Sequence, residues 1–503
     1  MSGTILGIYN NKFVVQPTDS KPNRNVLVLG GPGSYKTQSY VITNVFNETE
    51  NSLVVTDPKG EVYEYTADVK RRQGYDVRVL NFANMIASDR YNPLDYVSKD
   101  GEATTVATKI VDGNNKGGKK DVWYYSQIRL LTALVLYAVH ELPPDQRNIG
   151  GILDLLQAYN PSEGETGDKG LDDLFAVLEF KHPARRAYEL GYKHARGEMQ
   201  GSIIMSLLTT LGNYVDEEVN QFTHFSDFNL QDIGKRKLIL YIILPVMDNE
   251  FEGLTALFFT QLFSQLYTLG KENHAKIPQP ITFILDEFVN LGKIEGYEEF
   301  LATCRGYGIG VSTIIQTLTQ LQDKYGKEKA ESILGNCAVK YCLNASNNTT
   351  AEYIVKELGK ATVRVETEGE STQHGKENTS NSTSANESYT SRDLMTVSEV
   401  KQLPDDTGIL IFLNKPPLKV KKAIQFKIFP QPTELLNQTH YRSQPTDEQL
   451  LRFEQKQRTY VAQREAAAVN AEEKKKELET AKQLKEETIA AQEEQELLDF
   501  FAE

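Results

Sequence analysis

The run Val26-Leu27-Val28-Leu29-Gly30-Gly31-Pro32-Gly33-Ser34-Tyr35-Lys36-Thr37 constrains the fold of this chain more than any other. Four β-favouring apolar residues lead into a glycine-rich turn, and Lys-Thr opens the next segment. That order reads as a buried strand, a phosphate-binding loop and a helix. Glycines let the backbone curl so that its N–H groups face an anion. The helix N-terminus adds a partial positive charge. Gly30, Gly31, Pro32, Gly33, Ser34 and Tyr35 would form the cradle. Lys36 would reach the β- and γ-phosphates, and the Thr37 hydroxyl would ligate Mg²⁺. One position departs from G-x-x-x-x-G-K-[ST], because Tyr35 stands where glycine precedes the lysine. A side chain there is expected to push the loop off its φ > 0 geometry at about 1 kcal/mol or more, lowering nucleotide affinity without abolishing it.

A phosphate loop needs a second half, and Pro280-Ile281-Thr282-Phe283-Ile284-Leu285-Asp286-Glu287 supplies it. An apolar strand ending in two carboxylates places Asp286 at the carboxyl edge of a parallel sheet, where α/β ligands bind. Asp286 would hold the Mg²⁺ shell, and Glu287 would orient or deprotonate the attacking water. A third apolar strand, at 308–315, ends in Gln316, which would sense the γ-phosphate. Arg305 precedes that strand. Read alone it is a surface arginine; in a motor it would complete a neighbouring subunit's site.

Strand and helix alternate from about residue 22 to 94, with strands at 26–29, 53–56 and 77–81 and helices at 37–46 and 61–73. Such alternation predicts a mostly parallel sheet with helices on both faces. Residues 102–232 change character. Helical spacing recurs at 122–141, 171–190 and 201–214, which reads as an all-α insertion. Its Lys116-Gly117-Gly118-Lys119-Lys120 turn and Arg185-Arg186 are basic, though each alone reads as a solvated loop. Alternation resumes at 237–244 and continues through 254–269, 281–286, 311–316, 339–345 and 351–358, with a further strand at 408–413. The phosphate loop and the Asp-Glu strand therefore flank the insertion in sequence and should join one sheet. Residues 366–386 are Ser/Thr/Asn-rich and nearly without aliphatics, which predicts a mobile loop. From 445 to 503 the chain is acidic, helix-favouring and without a sustained heptad, and it ends in the apolar cluster Leu497-Leu498-Asp499-Phe500-Phe501. The reading is thus a first nucleotide-binding part (1–101), an all-α insertion (102–232), a second nucleotide-binding part (233–444) and a tail (445–503).

At 503 residues and a net charge of −14, the chain is large enough for several domains but carries no uniformly basic DNA-binding surface. A local basic channel remains compatible with that charge. The sequence shows no apolar run of about 18 residues and no basic-then-apolar leader, so the expectation is a cytoplasmic protein without a membrane span. Cys304, Cys337 and Cys342 are too few and scattered for a disulfide framework and read as core residues. The histidines show no zinc-type spacing.

Taken in order, these pieces resemble the TraG-type coupling proteins of conjugative type IV secretion, relatives of the FtsK/HerA DNA translocases. The resemblance runs from about Lys21 to Lys427. Asp57-Pro58-Lys59-Gly60-Glu61 resembles the family's D-P-K-G-E, and Asn92-Pro93-Leu94 its N-P-L. Asp286-Glu287-Phe288-Val289-Asn290-Leu291-Gly292 resembles D-E-F-x-N-[IL]-G, and Arg305-Gly306-Tyr307-Gly308-Ile309 its R-x-x-x-I. The resemblance implies a RecA-like P-loop ATPase fold, ATP and Mg²⁺ as cofactors, and a homo-hexameric ring with ATP between neighbours. It implies single-stranded DNA or a relaxase–DNA complex as cargo, and secretion-channel components as partners. It makes Lys36, Thr37, Asp286, Glu287 and Gln316 the site, Arg305 a trans-acting arginine, and Arg24 a second arginine near the nucleotide. Asp57, Lys59 and Glu61 would organise the site's edge or the subunit interface. Many members begin with transmembrane helices, so the resemblance implies either that such helices lie outside this sequence or that a separate membrane-anchor protein serves it, with the opening Met1 and strand slightly favouring the second. The alternatives are a nucleotide-binding, substrate-recruiting adaptor with little hydrolysis, and a cytoplasmic chromosome translocase.

Overall fold

The computed structural model describes residues 3–115, 118–158, 170–194, 198–245, 250–374, 379–432 and 434–502. Lys116 and Gly117 of the basic turn lie outside the described residues, as do the side chains of the Leu497–Phe501 cluster.

Thirteen strands form in chain order: β1 (Thr4–Tyr9), β2 (Lys12–Gln16), β3 (Val26–Leu29), β4 (Ser52–Asp57), β5 (Asp76–Asn81), β6 (Leu238–Ile243), β7 (Ile281–Leu285), β8 (Ile309–Ile315), β9 (Val339–Cys342), β10 (Lys360–His374), β11 (Thr379–Asp393), β12 (Thr407–Phe412) and β13 (Lys415–Lys421). Eleven make one sheet in the order β2-β1-β13-β12-β9-β3-β8-β7-β4-β6-β5. The stretch from β9 to β5 is parallel throughout, and the strands from β12 to β2 are antiparallel. The central strands read as unbroken apolar runs because both faces are covered, as a parallel sheet requires. Leu27 and Leu29 join one apolar cluster, with the helix Glu252–Glu272 and the insertion; Val26 and Val28 join the other, with Tyr40, Val62 and Tyr63.

Between β5 and β6 the described residues form only helices and turns, as the sequence pattern predicts. The expected helix over 171–190 is two, Leu171–Ala176 and Pro183–Gly191. Pro183 has no N–H to continue a helix, and it holds His182 out of helical geometry, so the break falls there. One helix among the described residues, Val122–Glu141, is long and apolar enough to cross a membrane. The sequence reading of no such stretch differs on this helix. Its Leu130, Leu131, Leu134 and Val135 are buried in the core of the helical unit.

The expected mobile loop over 366–386 is strand wherever it is described, with 375–378 outside the described residues. Residues 366–374 lie in β10 and 379–386 in β11, an antiparallel ribbon registered from Lys360↔Asp393 to His374↔Thr379. Its base is closed by the Leu394 N–H donating to the Gly359 carbonyl at 3.0 Å. A two-stranded ladder satisfies its backbone without an apolar core, so low aliphatic content does not forbid it. β13 has no counterpart in the sequence reading, because Pro416 and Pro417 argue against a strand. They fall where the β12–β13 register shifts between Leu410 and Phe412, and only Lys421 of β13 is registered with β1. The tail is one helix, Asp447–Ala502, whose first turns dock on the helical unit. Lys456 pairs with Asp95 at 2.9 Å, Phe453 meets Phe225 edge-on at 5.5 Å, and Arg464 donates to the Glu141 carbonyl at 2.8 Å. All three cysteines are buried and free, and burial pushes each thiol up to about 12.

Candidate functional site

Strand register builds the site. Leu29 is opposite Ile315, Thr313 opposite Leu285, and Leu285 opposite Thr56. The next residue in each segment, Gly30, Gln316, Asp286 and Asp57, therefore stands along one carboxyl edge, where parallel sheets bind ligands. A cavity of about 310 Å³ lies there, lined by the loop from Gly31 to Thr37, by Asp57, Lys59 and Glu61, and by Asp286, Glu287 and Gln316.

Two segments distant in sequence meet across it. The Thr37 hydroxyl donates to Asp286 Oδ2 at 3.2 Å, over a separation of 249 residues. The Thr56 hydroxyl donates to the Asp286 carbonyl at 2.7 Å, and the Glu287 N–H to Asp286 Oδ1 at 3.0 Å. Gln316 Nε2 donates to Glu287 Oε1 at 3.3 Å, and Asn290 Nδ2 to Glu287 Oε2 at 2.9 Å. The asparagine of D-E-F-x-N thus orients the glutamate. Glu287 has φ +49°, a left-handed conformation that costs a non-glycine residue about 1–3 kcal/mol and concentrates at functional sites. Lys36 Nζ donates to the Gly30 carbonyl at 2.8 Å. Burial lowers the Lys36 pKa, while the charges of Asp286 and Glu287 oppose that shift. Burial pushes the Asp286 carboxyl up to about 6, against the pull of Lys36, and pushes Asp57 up to about 7. Four acids, Asp57, Glu61, Asp286 and Glu287, line the pocket against two ammoniums, Lys36 and Lys59, so it is short of positive charge. It suits a ligand that brings its own cation.

The match to known proteins is extensive. The sequence fits the family described as type IV secretory system conjugative DNA transfer over residues 6–477. The chain belongs to that family. It is 26% identical over 389 residues to Protein VirD4 of Rhizobium radiobacter, covering 74% of this chain and 53% of the relative. It is 25% identical over 346 residues to the conjugal transfer protein TraG of Escherichia coli, covering 62% of this chain and 52% of the relative. The chain thus spans about half the length of the curated relatives it matches. Among solved structures it resembles plasmid coupling protein TrwB in complex with ADP and Mg²⁺, with a TM-score of 0.61 at 17% identity over 88% of this chain and 92% of that one. An ADPNP complex of TrwB gives 0.60 at 18% identity, over 84% of this chain and 89% of that one. These likenesses establish the fold, and the expected TraG-type membership stands.

The family's loop tolerates its unusual residue here. Tyr35 adopts φ +62° beside Gly33 at +72°, so the side chain does not displace the loop from left-handed geometry. The ring escapes outward and is 42% exposed. Two residues outside every motif hold the loop from behind. Lys422, 5% exposed at the end of β13, donates to the Ser34 carbonyl at 3.0 Å, and Asn344, just after β9, accepts from the Gly31 N–H at 2.6 Å. In a trans peptide the carbonyl and the next N–H point oppositely, so anchoring the Ser34 oxygen turns the Tyr35 N–H away from Lys422. Neither residue carried a sequence signal, because each reaches the loop only through strand pairing. Tyr35→Gly is expected to relieve about 1 kcal/mol of backbone strain. Calorimetry should show a melting temperature raised by about 1–2 °C; an unchanged or lower value would mean that the ring's contacts outweigh the strain.

Two expected site residues lie elsewhere. Arg24 Nη2 donates to Thr282 Oγ1 at 3.0 Å, at the amino ends of β3 and β7. Arg305 is exposed in the turn Cys304–Tyr307 that precedes β8. Both occupy the amino edge, a strand length of about 13 Å or more from the carboxyl edge. Arg24 therefore does not line the pocket of its own chain. It precedes β3 while the loop comes after it, and a strand separates its two ends. The N-P-L segment also lies outside the pocket. Asn92 accepts from the Leu94 N–H at 3.0 Å and donates to the Arg147 carbonyl at 2.8 Å, joining the helical unit to the sheet.

Proposed function

We propose that this chain is the nucleotide-hydrolysing motor of a conjugative coupling protein, moving single-stranded DNA or a relaxase–DNA complex towards a type IV secretion channel. The observation that carries this reading is the meeting of Thr37 with Asp286, with Glu287 held beside them by Gln316 and Asn290. The residues fit ATP and Mg²⁺. The loop offers an N–H cradle, Lys36 a phosphate-reaching ammonium, and Thr37 and Asp286 a hydroxyl–carboxylate pair of the kind that holds Mg²⁺. Mg²⁺, when bound, neutralises charge on the β- and γ-phosphates. TrwB has been solved with ADP and Mg²⁺ and with ADPNP, which supports the same cofactors here.

On this reading Lys36 leaves the Gly30 carbonyl for the phosphates. Glu287 Oε1 or Oε2 accepts the proton of the attacking water, and Gln316 keeps that carboxylate aligned. Arg24 and Arg305 at the opposite edge act on a neighbouring subunit's nucleotide, in a homo-hexameric ring. The chain works at the inner face of the membrane, beside the channel components.

The test compares DNA-stimulated ATP hydrolysis and ADP binding in the wild type and Lys36→Ala. Removing the phosphate-reaching ammonium is expected to weaken binding by roughly 2–3 kcal/mol, about a 30- to 160-fold effect, and to abolish turnover. Equal activity in the two proteins would remove the catalytic assignment. Wild-type binding without turnover would favour the adaptor.

A further inference from the structure

One buried acid in the pocket has no role in the reading above. Asp57 ends β4, fully buried, beside the strand that ends in Asp286. Its Oδ2 accepts from the Tyr63 N–H at 2.8 Å, and the Val62 N–H also stabilises the carboxylate, both in the first turn of the helix Glu61–Arg72. Its Oδ1 has no hydrogen-bond partner, although the residue lines the cavity. The carboxylates that face it, Glu61 and Asp286, bear its own sign. A buried anionic oxygen left without donor or cation is strongly unfavourable. A cap alone requires one acceptor, which asparagine or serine also supplies. The turn that carries Asp57 is pinned as well. Gly60 sits at φ +77°, and a Cβ there would meet the Gln438 side chain at 2.2 Å.

We propose that Asp57 is a metal-positioning residue: it stands at the same sheet edge as Asp286, and its unpartnered Oδ1 accepts hydrogen bonds from the water shell of the nucleotide-bound Mg²⁺. This rests on the nucleotide reading and extends it. Thr37 and Asp286 would hold the ion, and Asp57 would hold its waters. The D-P-K-G-E signature thereby acquires a function for its first residue. The same carboxylate couples the metal to the helix Glu61–Arg72 through its second oxygen.

The full-length protein tests this with Asp57→Asn, which keeps an acceptor for the Tyr63 N–H, and with Asp57→Ser as a second cap-preserving variant. ADP binding is titrated by calorimetry with and without Mg²⁺, and Mn²⁺ binding to the ADP complex is followed by electron paramagnetic resonance. Loss of an outer-shell partner typically weakens metal affinity about 10- to 100-fold. The expected result is metal-free ADP affinity within about twofold of wild type, with the Mg²⁺ and Mn²⁺ requirement raised at least tenfold. An unchanged metal requirement in both variants would overturn the proposal and leave Asp57 a helix cap. Failure of the wild type itself to bind ADP, with or without metal, would instead overturn the nucleotide reading, and the inference with it.

Discussion

Exchanging Arg305 for alanine is expected to cut ATP hydrolysis by about three orders of magnitude while leaving ADP affinity nearly unchanged. Arg305 is exposed at the amino edge of the sheet, and the phosphate loop is at the carboxyl edge. An arginine so placed lies away from its own chain's pocket, so on the proposed reading its effect on turnover passes between subunits. The decisive form of the experiment is therefore a mixture. Arg305→Ala lacks the finger but keeps Lys36; Lys36→Ala keeps the finger but lacks the phosphate ligand. Each alone should be inactive, and mixing them should restore part of the rate through the interfaces that pair an intact pocket with an intact arginine. Full activity of Arg305→Ala, or no recovery on mixing, would leave Arg305 a surface residue.

Glu287→Gln is expected to slow hydrolysis by about 10²- to 10³-fold, with ADP binding within a few-fold of wild type. The substitution removes the proton acceptor but keeps the size and the hydrogen-bonding span of the side chain. Asn290 and Gln316 both donate to the carboxylate, so the glutamine must lose or invert one of these contacts. The φ of +49° at Glu287 shows that the strand end is held in a costly conformation around this residue. Rapid-mixing measurement of the bound ATP lifetime would separate binding from chemistry. A Glu287→Gln protein that turns over at the wild-type rate would assign proton transfer elsewhere, with Glu61, which also lines the pocket, the next residue to examine.

Much of the site was legible in the sequence, for a physical reason. Val26–Leu29, Ile281–Leu285 and Ile309–Ile315 are mostly apolar and buried on both faces; the first runs into glycines and the other two end abruptly in Asp286 and Gln316. Such a run declares a buried strand, and its last residue declares the carboxyl edge. The ribbon of β10 and β11 was not legible, because a ladder held by backbone hydrogen bonds leaves no apolar signature. Nor was the division at Pro183, where helical spacing continued across the break.

The sequence by itself determined the strands that carry the site, the phosphate loop, the paired acids and the presence of a helical insertion, since each is encoded by neighbours along the chain. Only the tertiary structure decided what faces what. It set Arg24 and Arg305 at the edge away from the pocket, brought Lys422 and Asn344 behind the loop, kept Tyr35 in left-handed geometry and left one oxygen of Asp57 without a partner beside Asp286. Those relations depend on which strand pairs with which, and in what register. Local periodicity fixes the faces of a strand but does not name its neighbour.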